Sequence, residues 1–288
     1  RYWRDWSSDV CSSDLNNTTC TLQKSFLISG SSDCKAKIWD VSNPLSPQEL
    51  HTLIASPIGS LPSGAVTAVR FHTFGKHAFT GSSDTMWRTW DIETGQELLI
   101  QEGHVKEIKE IEVHVDGSLV ATGDESGIGH IWDLRSGKRI WTMGGKIAGL
   151  ANTNTNSGEG SIGGHSGKII SMSWSPNGID LASGGDDNLI KIWDLRKRKN
   201  IYSIPGHKKL VSSLKYNRNG SVLVSASFDN TCKIWNTRNF ALIKALSTNH
   251  NLVTACDVAA DNDMIVTVGW QDNTFKQWKY DPILASIL

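Results

Sequence analysis

Six tryptophans (Trp39, Trp90, Trp132, Trp193, Trp235 and Trp278) recur along the chain at intervals of 51, 42, 61, 42 and 43 residues. A period near 42 with two longer intervals marks a repeat architecture, in which each unit buries its apolar face against its neighbours. Asp follows four of these tryptophans, at Asp40, Asp91, Asp133 and Asp194, while Asn236 and Lys279 follow the last two. Three further registers travel with the indole. Twenty-eight residues before it stand His104, His165, His207 and His250. Ten residues before it stand Ser29, Thr80, Thr122, Ser183 and Ser225, with Thr267 one position further out in the last unit. Six residues before it stand Asp33, Asp84, Asp187, Asp229 and Asp272, Ser126 being the exception. Chance does not align four registers.

Inside a unit the pattern is β. Ile170, Met172 and Trp174 alternate with Ser171, Ser173 and Ser175, a period of two. Asn177-Gly178 then offers a positive-φ turn, repeated at Asp116-Gly117 and Asn219-Gly220, and Thr94-Gly95 and Ser136-Gly137 mark a second kind. Residues 179–183, 189–193 and 200–204 complete four short strands, the content of one propeller blade. The expected fold class is therefore all-β, a β-propeller with six repeats visible.

Composition narrows the function classes. Lys+Arg and Asp+Glu number 29 each, so bulk charge argues for neither nucleic acid nor membrane. No apolar run approaches the ~20 residues of a membrane span, and the five cysteines lack metal-ligand or disulfide spacing. Free thiols suit the cytosol or nucleus. Residues 4–15 read RDWSSDVCSSDL, which resembles the translation of a short-read sequencing adapter. Residues 1–15 are accordingly read as a disordered artefact, and residues 16–281 as the propeller fragment. Residues 144–163, rich in Asn, Thr, Ser and Gly, are expected to form a disordered insertion between blades.

These registers resemble the WD40-repeat family from Phe26 to Tyr280. The resemblance implies that His, Ser/Thr, Asp and Trp of each blade form a hydrogen-bonded chain. The complete sets are His165, Ser183, Asp187, Trp193 and His207, Ser225, Asp229, Trp235, and the last blade carries His250, Thr267, Asp272 and Trp278. His104, Thr122 and Trp132 lack the Asp, so that blade is expected to be less tightly pinned. Pro62 stands where the second blade needs its His, and the first blade's His position falls within residues 1–15. The blade sequences 90–104, 131–140 and 187–207, with DNTCKIW and DNTFKQW, resemble the WD-repeat subunits of the U4/U6 small nuclear ribonucleoprotein. That resemblance implies a seven-bladed ring whose first visible repeat is incomplete. It further implies a nuclear splicing scaffold of the tri-snRNP, bound to partner splicing factors and near U4/U6 snRNA.

A Ser, His and Asp within reach of one another also suit a hydrolase. A nucleophile is needed once, however, whereas this set recurs blade after blade with an indole on it. The expectation is no enzyme, no catalytic residue, no metal, no cofactor and no small-molecule substrate or membrane partner. Docking candidates lie in the turns. Asp186, Phe228 and Gln271 precede the repeat Asp, with Trp270 adjacent, and exposed aromatics there would anchor a protein partner. Arg135, Lys138 and Arg139, then Arg196, Lys197, Arg198 and Lys199, then Arg238 follow successive tryptophans and are expected to merge into one basic patch. A WD-x-Arg box at 132–135 and 193–196 offers the alternative of a cullin-ligase substrate receptor.

Overall fold

The structure is a computed structural model that describes residues 19–23, 25–43, 45–55, 64–144, 163–248, 252–259, 264–270 and 274–279; for 19–23 it describes the backbone alone. The adapter-like segment 1–15 and nearly all of the 144–163 insertion lie outside the described residues. The chain divides into two compact units, 1–124 with 132–138, and 125–131 with 139–288.

All described elements are strands, in six sheets. The first sheet holds β1 (Thr19–Gln23), β2 (Phe26–Gly30), β3 (Lys35–Asp40) and β4 (Gln48–Ile54). The second holds β5 (Val66–Phe71), β6 (His77–Ser82), β7 (Trp87–Asp91) and β8 (Glu97–Gln101). The third holds β9 (Ile108–Val113), β10 (Leu119–Asp124), β11 (Gly129–Asp133) and β12 (Lys138–Met143). The fourth is β13 (Ile169–Trp174), β14 (Asp180–Gly185), β15 (Ile190–Asp194) and β16 (Lys199–Ile204). The fifth is β17 (Val211–Tyr216), β18 (Val222–Ser227), β19 (Thr231–Asn236) and β20 (Leu242–Ser247). The sixth has three strands among the described residues, β21 (Val253–Val258), β22 (Met264–Gly269) and β23 (Phe275–Lys279). Every sheet is an up-and-down meander in chain order. This is the all-β architecture of a WD40 β-propeller. The first sheet has its full set of four strands; the partner it lacks in the described residues is the imidazole.

The core sits between consecutive sheets. In the first unit Ile28, Ile38 and Leu53 pack on Val66, Val69 and Trp90, and Phe79 and Trp87 pack on Ile108, Ile111 and Trp132. In the second, Ile190 and Ile192 meet Val211 and Leu214, and Val224 and Ile234 meet Val253 and Cys256. Each such buried side chain contributes about 1.5–3 kcal/mol.

Burial on both faces changes what the period of two means. Ser171, Ser173 and Ser175 are as buried as the apolar residues between them. The Leu214 N–H donates to Ser171 Oγ at 3.0 Å and the Tyr216 N–H to Ser173 Oγ at 3.1 Å, so these hydroxyls stitch β13 to β17. Small polar residues on this face thus satisfy the next sheet's backbone rather than facing water. The 144–163 insertion begins and ends at one place. Gly144, at φ +64°, approaches Gly164 so closely that a Cβ would collide with its Cα, a position only glycine suits.

Candidate functional site

The recurring side chains converge inside each sheet. In the fourth, the Trp193 indole N–H on β15 donates to Ser183 Oγ on β14 at 2.7 Å. The Ser183 hydroxyl donates to His165 Nε2 at 2.7 Å, and His165 Nδ1–H donates to Asp187 at 2.9 Å. A carboxylate at Nδ1 requires the proton there, which makes Nε2 the acceptor. The fifth sheet repeats the chain: Trp235 to Ser225 at 2.9 Å, Ser225 to His207 at 2.7 Å, His207 to Asp229 at 3.0 Å. Both imidazole side chains have zero exposure, and Ser183 and Ser225 are equally sealed.

Backbone amides complete the carboxylates. Asp187 accepts from the N–H groups of Ser166 and Leu189, and Asp229 from those of Lys208 and Thr231 and from the Thr231 hydroxyl. Burial pushes the Asp229 carboxyl up, but those donors and the imidazole outweigh it and hold it at about 2. Asp187 is lowered by the same balance, burial against His165 and the amides. Burial drives the His207 pKa below its ordinary value, against the pull of Asp229. The imidazole therefore stays neutral in the core.

The third sheet corrects the sequence expectation. His104 Nδ1 donates to Asp124 Oδ2 at 2.9 Å, Thr122 donates to His104 Nε2 at 2.6 Å, and the Trp132 indole donates to Thr122 at 2.8 Å. The carboxylate comes from the end of β10, two residues before the expected position held by Ser126, and this blade has its full chain. Geometry explains the substitution. In the fourth sheet the same register position is Gly185, where a Cβ would lie 2.7 Å from His165 Nδ1 and 3.0 Å from the Asp187 carboxylate. A side chain from either position reaches the imidazole.

In the sixth sheet the Trp278 indole donates to Thr267 Oγ1 at 3.0 Å, although eleven residues separate them instead of ten. Ile265 pairs with Trp278 as Leu223 pairs with Trp235, so Thr267 occupies the Ser225 register and the extra residue belongs to the following turn. His250, Asp272 and Gln271 lie outside the described residues. The first sheet keeps its Trp39–Ser29 bond at 3.0 Å. The second keeps Trp90 to Thr80 at 2.9 Å, and there Asp84 pairs with Arg88 at 2.8 Å in place of a histidine, both nearly fully buried. Arg88 was not anticipated. The available signal was a fifth register: a basic residue or histidine two places before every repeat tryptophan, at Lys37, Arg88, His130, Lys191, Lys233 and Lys276.

The turns carry the exposed chemistry. Trp270 is 53% exposed, Asp186 is exposed, and Phe228 is half-buried, held by its N–H to Leu210 O. On the turns after the tryptophans, all eight basic residues are exposed. Arg139 Nη1 is 3.3 Å from His130 Nε2, and Lys197 Nζ is 3.7 Å from Asp194. Arg196 to Lys199 and Arg238 stand on neighbouring turns of one unit; Arg135 and Lys138 belong to the other.

Comparison with known proteins agrees with this architecture. The domain family described as "Nucleolar protein 10-like, N-terminal domain" matches residues 97–284, and "WD domain, G-beta repeat" matches 7–40 and 50–91. Pre-mRNA-processing factor 19 of Oryza sativa subsp. japonica is 28% identical over 60% of this chain and 28% of its own length. Guanine nucleotide-binding protein subunit beta of Nicotiana tabacum is 27% identical over 65% of this chain and 44% of its own. Cell division cycle 20.1, cofactor of APC complex, of Arabidopsis thaliana is 26% identical over 54% of this chain and 29% of its own. The chain thus spans less than half of each of these relatives. It belongs to the WD-repeat β-propellers and, through residues 97–284, to the Nucleolar protein 10-like N-terminal domain family.

Proposed function

We propose that the chain is a non-catalytic protein-interaction scaffold of a multisubunit nuclear complex that processes RNA. In its finer form it is a pre-mRNA splicing factor of the U4/U6 small nuclear ribonucleoprotein and tri-snRNP. One observation carries the scaffold reading. The same bonded chain of indole, hydroxyl, imidazole and carboxylate recurs in three sheets with sealed side chains, so its chemistry is spent on folding. What faces outward is turns, with Trp270, Asp186 and Phe228 as partner anchors. The nuclear and RNA-processing part is supported by the blade-sequence resemblance, by the nucleolar family match and by a relative whose name is a pre-mRNA-processing factor.

A second reading has its own observation: Arg135 and Arg196 of the two WD-x-Arg boxes are exposed, as a cullin-ligase receptor requires. Affinity purification from nuclear extract separates the readings. Co-purifying U4/U6 snRNA and splicing factors are expected. A cullin adaptor would favour the second reading, and nucleolar ribonucleoprotein alone would overturn the splicing assignment while keeping the scaffold.

A further inference from the structure

Charge in this chain is balanced overall, yet it is not evenly spread over the turns that follow the repeat tryptophans. The first turn, 40–43, carries no cation, and the second pairs Asp91 with Glu93. The fourth carries Arg196, Lys197, Arg198 and Lys199, and the fifth carries Arg238. The fifth also has Asn236 where the first four blades have Asp. Asn236 Oδ1 accepts the Arg238 N–H at 2.8 Å, as Asp194 Oδ1 accepts the Arg196 N–H at 2.8 Å. The turn is kept and a negative charge is removed. Of these five cations only Lys197 has a carboxylate within ion-pair distance among the described residues, Asp194 at 3.7 Å. The two turns, 194–199 and 236–240, therefore carry five cations and one carboxylate, Asp194, whose cross-strand neighbour is Asp180.

An aromatic pair adjoins these cations. Tyr202 on β16 stacks on Phe240 of the fifth sheet's turn, with centroids 5.1 Å apart and planes 23° from parallel. Phe240 packs against the core beside Tyr216 and Trp235, whereas Tyr202 is 46% exposed and Ile201 beside it 38%. The pair joins the two sheets at this rim and fixes the Tyr202 ring. A fixed exposed ring on a cationic ledge serves planar bases and a phosphate backbone together; an acidic peptide would use the cations alone.

We propose that the turns of the fourth and fifth sheets, with the Tyr202–Phe240 stack, form a binding surface for single-stranded RNA. Arg196, Arg198, Lys199 and Arg238 contact phosphates, and Tyr202 stacks a base. This goes beyond the scaffold reading and stands without it.

The test is fluorescence anisotropy of the 288-residue chain with a labelled oligouridylate of about 16 nucleotides, across a salt series. The variant Arg196→Gln/Arg198→Gln/Arg238→Gln is expected to bind at least tenfold more weakly. Its slope of log K against log salt should be shallower by roughly 2, about 0.7 for each lost phosphate contact. Tyr202→Ala is expected to weaken binding about fivefold or more with the slope unchanged. Unaltered melting curves for both variants confirm that they fold. No binding by the parent, an unaffected triple variant, or tighter binding of poly-glutamate than of oligouridylate would each overturn the proposal.

Discussion

His104 and Asp124 form the same buried imidazole–carboxylate contact, at 2.9 Å, that His165 forms with Asp187, although Asp124 reaches it from a strand end and Asp187 from a turn. The contact is what the blade needs, and the backbone offers two places from which to make it. Asp124→Ala removes the carboxylate that the buried His104 Nδ1–H donates to and is expected to cost about 1–3 kcal/mol. Ser126→Ala, at the position the repeat pattern marks, removes no carboxylate from His104 and should cost less. Chemical denaturation checks both, and equal costs would contradict the assignment.

Asp187→Ala is expected to lower stability by about 1–3 kcal/mol through the same loss. A side chain at Gly185 would start 2.7 Å from the same His165 Nδ1 but also 2.9 Å from Lys168 O, so Gly185→Asp in that background should restore at most a small part of the loss, with the Lys168 carbonyl displaced. A double variant no more stable than Asp187→Ala alone would show that the two positions are not interchangeable.

Acid stability follows from the fifth sheet. Asp229 titrates at about 2 when folded, below the ordinary value near 3.9, so its contribution is full above that ordinary value and is lost as pH falls through about 2. His207 is also depressed, so it too favours the fold above its ordinary pKa and less in acid. Both slopes have the same sign. Asp229→Asn should flatten the rise of unfolding free energy between about pH 2 and 5, and a curve parallel to the parent's would contradict this.

Turn strain gives a stabilising prediction. The residue after each of the four described repeat Asp residues adopts positive φ, at Cys34, Thr85, Asn188 and Asn230. Asn tolerates this region, whereas a β-branched side chain is strained there. Thr85, at φ +73°, is the misfit, and Thr85→Asn should stabilise by roughly 1 kcal/mol, read as a higher melting temperature.

The fold was legible because it rests on repetition, which survives ambiguity in any one strand. Thr267 looked misplaced because counting along the chain adds turn length to strand register, and only pairing separates the two. Asp124 was missed for the same reason: a carboxylate two residues early lies on the strand, yet reaches the same nitrogen. The burial of the β13 serines was not legible, because alternation does not reveal whether a second sheet covers that face. Tyr202 on Phe240 was not legible at all, since 38 residues and a change of sheet separate two rings that meet only in space.

The central claim is that the buried indole, hydroxyl, imidazole and carboxylate sets hold the blades together. Nitrogen-15 NMR of the histidine rings and indole N–H groups tests it most directly. The account predicts a protected proton on Nδ1 of His104, His165 and His207, with the Trp132, Trp193 and Trp235 indole protons protected from exchange until global unfolding. Imidazoles carrying their proton on Nε2 instead, beside freely exchanging indoles, would contradict it.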